Sequence, residues 1–115
     1  MSSVKIWHNP KCSKSRATMA LLLENGITPE VMDYQKTPPD AQELQRVITA
    51  LNIRAIDLVR TGEAAFKESN LTRNSSDADL IKAMIATPKL IERPVVLNGN
   101  KAAIGRPVES VLKIL

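Results

Sequence analysis

At 115 residues, 43% hydrophobic and 24% charged, the chain is expected to form one globular domain over residues 1–115, with a core that needs no staples. Its single cysteine excludes an intramolecular disulfide, and no apolar run approaches the roughly 18 residues of a membrane span or the core of an N-terminal signal, so the cytoplasm is the expected compartment. The net charge of +4 would permit nucleic-acid binding, but basic residues are interleaved with acids and only Trp7, Tyr34 and Phe66 are aromatic, so neither a nucleic acid nor a membrane is expected as partner.

In chain order, residues 4–7 read as a short buried strand carrying Val4 and Ile6. A helix is predicted over 13–25, with Met19, Leu22 and Leu23 at helical spacing, stopped by Gly26 in the left-handed position that follows many helices. Residues 30–34 alternate enough for a second strand, and two strands flanking a helix predict a parallel βαβ unit. Thr37 is expected to cap the next helix, with Pro38 and Pro39 in its first turn. Leu44, Val47, Ile48 and Leu51 give it an amphipathic stripe. Residues 53–59 predict another short helix, broken at Arg60-Thr61-Gly62, and 63–74 a short helix and loop. Ser75, Ser76, Asp77 and Asp79 offer caps for a helix through Ala86 that buries Leu80, Ile81, Met84 and Ile85. Residues 94–97 and 101–104 around Asn98-Gly99-Asn100 predict a hairpin, because Asn-Gly supplies the positive φ angles of a tight turn. Pro107 is expected to open a final helix with Val108, Val111, Leu112 and Leu115 on one face. No repeat or linker interrupts this order.

The chemistry concentrates between the first strand and the first helix, in His8-Asn9-Pro10-Lys11-Cys12-Ser13-Lys14-Ser15-Arg16, which holds the only histidine and the only cysteine. A lone cysteine in a small domain is most often a small buried hydrophobe. Cys12, however, is placed before a predicted helix, whose unpaired first-turn N–H groups and dipole favour an anion, and Lys14, Arg16 and His8 are close in sequence. Such surroundings lower a thiol pKa and also bind oxyanions.

The pattern His8-Asn9-Pro10-x-Cys12-Ser13-x-Ser15-Arg16 resembles the active-site loop of the glutaredoxin-coupled arsenate reductases. Further matches follow in order at Tyr34 through Thr37-Pro38-Pro39, Leu58-Val59-Arg60, Glu92-Arg93-Pro94-Val95-Val96 and Gly105-Arg106-Pro107, so the resemblance runs over nearly the whole chain. It implies an α/β, thioredoxin-like fold: a mixed four-stranded sheet with an inserted helical segment. It also implies that Arg60, Arg93 and Arg106 bind a tetrahedral oxyanion, as guanidinium forks do, with Arg16 beside them, and that Pro94 is the cis-proline facing the catalytic cysteine. Asn9 and Pro10 would shape the loop. His8 would either stabilise the thiolate as imidazolium or hydrogen-bond the loop as a neutral ring, and Ser15 could donate to the Cys12 sulfur or make a plain cap contact.

The loop itself separates neighbouring classes. A dithiol oxidoreductase needs Cys-x-x-Cys, but Ser15 stands at the second position. A tyrosine-phosphatase loop needs an arginine where Thr18 stands, and one Cys with one His is too few for a metal site. The absence of a second cysteine points to an external reductant. The resemblance implies reduction of arsenate to arsenite for arsenic detoxification, through a Cys12 thiolate–arsenate adduct. It also implies glutathione as co-substrate and glutaredoxin as protein partner; a monomer with no bound cofactor or metal is expected. Two alternatives use the same scaffold: a monothiol glutaredoxin-like thiol transferase, since Cys12-x-x-Ser15 is also a monothiol motif, and a non-enzymatic RNA-polymerase-binding regulator.

Overall fold

A computed structural model describes residues 4–115, in which the order of elements follows the predicted one. Two compact units divide the chain, one formed by Met1–Thr37 with Arg93–Leu115 and the other by Pro38–Glu92.

The first unit holds the sheet. Strand β1 (Val4–Trp7) pairs parallel with β2 (Glu30–Met32) and antiparallel with β3 (Val95–Asn98), which pairs antiparallel with β4 (Lys101–Ile104), in the spatial order β2-β1-β3-β4. This is the expected mixed four-stranded sheet. Helix α1 (Ser13–Glu24) and a C-terminal 3-10 helix (Val108–Ile114) complete the unit. Val4, Ile6, Leu22, Val96, Ala103, Val111 and Ile114 form its apolar core, with Met19, Leu21 and Ile27 packed around them. Each large aliphatic side chain so buried stabilises the fold by about 1.5–3 kcal/mol.

Local departures from the sequence reading have local causes. The buried stripe of α1 is Ser15, Thr18 and Leu22, so it begins with polar residues, and Leu23 is left 54% exposed. β2 stops at Met32 because Asp33 turns the chain: its carbonyl accepts from Lys36 and Thr37 N–H and its carboxylate from Gln35 and Lys36 N–H. Gly26 does adopt the left-handed conformation after α1 (φ +74°). In the hairpin, Asn98 still pairs with Lys101; the turn pair is therefore Gly99-Asn100, and only Gly99 (φ +60°) has a positive φ. The final helix is 3-10, with side chains in register every third residue. Val111 and Ile114 are consequently buried, while Leu112 and Leu115 are exposed.

The second unit is helical: α2 (Ala41–Leu51), a 3-10 turn (Ala55–Leu58), α3 (Ala64–Glu68), α4 (Asp77–Ala86) and a second 3-10 turn (Pro88–Leu90). Leu44, Val47 and Ile48 of α2 are buried as their spacing predicts, as are Leu80, Ile81 and Met84 of α4. Ile85 is only half-buried. The cap of α2 is Asp40, whose carboxylate accepts from Glu43 N–H at 2.8 Å. Thr37 and the two prolines precede the helix, because a cap must sit directly before the first helical residue to reach the third N–H. The predicted 53–59 helix shrinks to one 3-10 turn, between left-handed Asn52 (φ +55°) and the bridge from Val59 to Ile91.

Candidate active site

Cys12 occupies the N-cap position of α1, with extended backbone (φ −95°, ψ 124°). Its carbonyl accepts the first helical bond, from Arg16 N–H at 3.0 Å, and its own N–H donates to Asn9 O at 2.9 Å. The thiol is therefore where a Ser or Asp side chain would cap a helix, facing N–H groups that have no acceptor inside the helix. Burial pushes the thiol pKa up. The backbone N–H of Ser15, the Arg93 guanidinium and the backbone N–H of Lys14 more than offset this and hold it below the ordinary thiol value. A buried cysteine, 8% exposed, thus carries thiolate character without leaving the fold.

The loop before Cys12 is braced from within. Asn9 is buried, and its side-chain oxygen accepts from Lys11 N–H at 3.0 Å. The fully buried Ser15 hydroxyl accepts from Asn9 N–H at 3.0 Å and lies 2.6 Å from His8 Nδ1. The Ser15 side chain therefore serves the loop, and it is the Ser15 backbone that faces the sulfur. For His8, burial holds the ring below the usual histidine value; Asp33 raises it and Arg16 lowers it further. A neutral ring accepting a hydrogen bond from the Ser15 hydroxyl at Nδ1 fits this geometry, with the Ser15 oxygen accepting the Asn9 N–H. Arg16 donates from Nη1 to Pro10 O at 2.9 Å, so this guanidinium clamps the loop.

Two arginines reach Cys12 from the open end of the β3–β4 hairpin. Val95 pairs with Ile104, and Gly105 N–H donates to Pro94 O at 2.9 Å, which brings Arg93 and Arg106 side by side. Arg106 Nε donates to Arg93 O at 2.7 Å, and its Nη2 lies 3.7 Å from Cys12 Sγ. Both Arg93-Pro94 and Arg106-Pro107 are cis. A Cβ at Gly105 would lie 2.6 Å from Thr18 Oγ1 and 2.7 Å from Pro94 Cγ, so only glycine permits this approach of the hairpin end to α1. The β3–β4 pairing and the bare glycine are the parts of the site that a motif match leaves unexplained.

Arg60 belongs to the second unit. Its guanidinium lies 3.0 Å from Glu63 Oε1 and 3.8 Å from Glu92 Oε1, beside a cleft of about 420 Å³ lined by Val59, Arg60, Thr61, Gly62, Glu63 and Glu92. In the sequence Glu63 is marked by its i+3 spacing from Arg60, and Glu92 by its place in the matched Glu92-Arg93-Pro94 segment. Among the described residues no cluster of three or more His, Cys, Asp or Glu could hold a metal ion, and no helix is long and apolar enough to cross a membrane.

The profile of the ArsC family matches residues 7–114, from the last residue of β1 to the last turn of the chain. The chain belongs to the ArsC family. It is 51% identical to the uncharacterized protein YfgD of Escherichia coli strain K12, over 97% of this chain and 96% of that one. It is 44% identical to an arsenate reductase of Neisseria meningitidis serogroup A, with both chains covered in full. Among solved structures, an arsenate reductase from Vibrio cholerae superposes with a TM-score of 0.95 at 47% identity, covering 99% of this chain and 98% of that one. The mixed sheet with its inserted helices is accordingly the thioredoxin-like fold of the ArsC family, and Cys12, Arg93 and Arg106 meet at the end of its sheet.

Proposed function

We propose that this protein is an arsenate reductase that uses Cys12 as nucleophile and glutathione with glutaredoxin as external reductants, acting as a monomer in the cytoplasm. The observation that carries this reading is the meeting of a pKa-depressed thiol with the Arg93 and Arg106 guanidinium groups at the N-terminus of α1. Family membership and the relatives named arsenate reductase support the choice of oxyanion.

Cationic forks there would neutralise a bound arsenate, which would otherwise repel an anionic nucleophile. The Cys12 thiolate forms a bond to arsenic as a hydroxide leaves with a proton as water, giving the thiol–arsenate adduct. Glutathione then attacks. Two electrons pass to arsenic, As(V) becomes As(III), arsenite leaves, and the two thiols end as a mixed disulfide that glutaredoxin resolves by exchange. The chain needs no second cysteine for this sequence. The family resemblance assigns oxyanion binding to Arg60 as well.

The test is arsenate-dependent NADPH oxidation by the pure protein with glutathione, glutaredoxin and glutathione reductase, each omitted in turn, and again with Cys12→Ser. Turnover that requires arsenate, glutathione and Cys12 together is the expected result. Arsenate reduction retained by Cys12→Ser would refute the mechanism, and reduction of a glutathionylated disulfide without arsenate dependence would replace it with thiol transfer.

A further inference from the structure

The cleft of about 420 Å³ beside Arg60 lies wholly within the second unit, and two local features assemble it. Glu63 N–H donates to Arg60 O at 3.1 Å, closing a turn that sets Glu63 beside Arg60. Arg60 N–H donates to Leu90 O and Glu92 N–H to Leu58 O, both at 2.7 Å, around the Val59–Ile91 bridge, so Arg60 and Glu92 stand on adjacent segments of chain. At Gly62 the wall is open, since a Cβ there would meet nothing within 4 Å. The lining thus carries one guanidinium and two carboxylates, with side chains 25–30% exposed. Their pairing is incomplete. Arg60 Nη1 lies 3.0 Å from Glu63 Oε1 yet is buried and makes no hydrogen bond, and Nε is 3.8 Å from Glu92 Oε1, beyond hydrogen-bond length. A buried donor without an acceptor calls for a reason, and the carboxylates outnumber the cation.

We infer that this cleft binds an α-amino-acid group, its carboxylate on the Arg60 guanidinium and its ammonium between Glu63 and Glu92. A carboxylate matches the guanidinium fork and supplies the acceptor that Nη1 lacks. Alone it would meet two like charges; an ammonium on the adjacent carbon turns that repulsion into attraction. An ionised carboxylate has about four acceptor sites, so contact with Arg60 exhausts neither glutamate. The guanidinium has five N–H donors, and holding a carboxylate is compatible with the oxyanion role that the resemblance gives Arg60. The volume falls in the range of small-molecule sites, about 300–1,000 Å³, with room for a molecule larger than one amino acid. Glutathione carries an α-amino-acid group at its γ-glutamyl end. Naming it as the occupant rests on the reductant proposed above, whereas the site itself does not.

The experiment titrates the ¹⁵N-labelled protein and follows the amide signals of Arg60, Thr61, Gly62 and Glu63. Three probes are used: S-methylglutathione, whose blocked sulfur cannot exchange with Cys12; the same peptide with glutaryl in place of γ-glutamyl, which loses only the ammonium; and L-glutamate. S-Methylglutathione should shift these amides saturably, and the glutaryl peptide should bind about 3- to 10-fold more weakly, as partly exposed charge pairs allow. Glu63→Gln with Glu92→Gln should abolish that preference, and Glu63→Gln alone should reduce it, which keeps the test decisive if the double variant does not fold. Equal binding of the two peptides by wild type, or no shift of these amides, would overturn the inference. L-Glutamate binding as tightly as S-methylglutathione would support the site and assign its occupant to free amino acids in place of glutathione. Neither arsenate nor turnover enters the titration, so its outcome is independent of the coupled assay that tests the reductase reading.

Discussion

Substituting Gly105 by alanine tests the geometry that brings the arginines to Cys12. The new methyl would lie 2.6 Å from Thr18 Oγ1 and 2.7 Å from Pro94 Cγ, about an ångström closer than carbon atoms pack. Neither neighbour yields freely. Thr18 is buried and its hydroxyl donates to Lys14 O at 2.8 Å, while the Pro94 ring is a rigid part of the backbone entering β3. Overpacking of this kind costs about 1–3 kcal/mol, and rotating Thr18 away would forfeit a hydrogen bond worth about 1 kcal/mol. The expected loss is thus about 2–4 kcal/mol, or a fall in Tm of roughly 8–16 °C at about 4 °C per kcal/mol for a domain near this size. Activity should fall as well, because the contact separates the loop carrying Arg106 from α1 and Cys12. The assay is urea and thermal unfolding followed by far-UV circular dichroism, with Gly105→Ala, Thr18→Ala and the double variant compared. Removing the Thr18 oxygen should relieve part of the clash, so the double variant should be more stable than the sum of the single effects implies. Strict additivity, or a Gly105→Ala protein with wild-type Tm, would refute the reasoning.

Two further expectations are equally direct. Asp40→Ala should lower stability by about 0.5–2 kcal/mol through loss of the α2 cap, whereas Thr37→Ala, outside the helix, should change it little; urea midpoints for the pair distinguish the two residues. The Cys12 and His8 pKa values are both depressed in the folded protein. The stabilisation linked to each is therefore fully present above its unfolded value, about 8.5 for the thiol and 6.5 for the imidazole, and is lost as pH falls through the folded value. Iodoacetamide alkylation of Cys12 should accordingly reach half its maximal rate below pH 8.5, the ordinary thiol value. Arg93→Ala should move that midpoint upward. A midpoint at or above the ordinary value in wild type would contradict the thiolate assignment.

What the sequence determined by itself was whatever depends on near neighbours along the chain. Cys12 between a strand and a helix, the Leu44-Val47-Ile48 stripe, the left-handed Gly26 and the 94–104 hairpin are patterns of spacing and turn chemistry, and the loop motif carried the family. Tertiary structure decided how those pieces were used. The Ser15 hydroxyl turned to His8 and Asn9, Arg16 to the Pro10 carbonyl and Arg60 to Glu63 and Glu92, because a long or polar side chain takes the partner that folding brings near it. In the last segment a three-residue period replaced the 3.6-residue one and exchanged Leu112 and Leu115 for Ile114 in the core; residue types alone do not distinguish the two periods over seven positions. The approach of Arg106 to Cys12 spans 94 positions of sequence. It exists because β3 and β4 pair in one register and Gly105 has no side chain, a condition set by contacts in space.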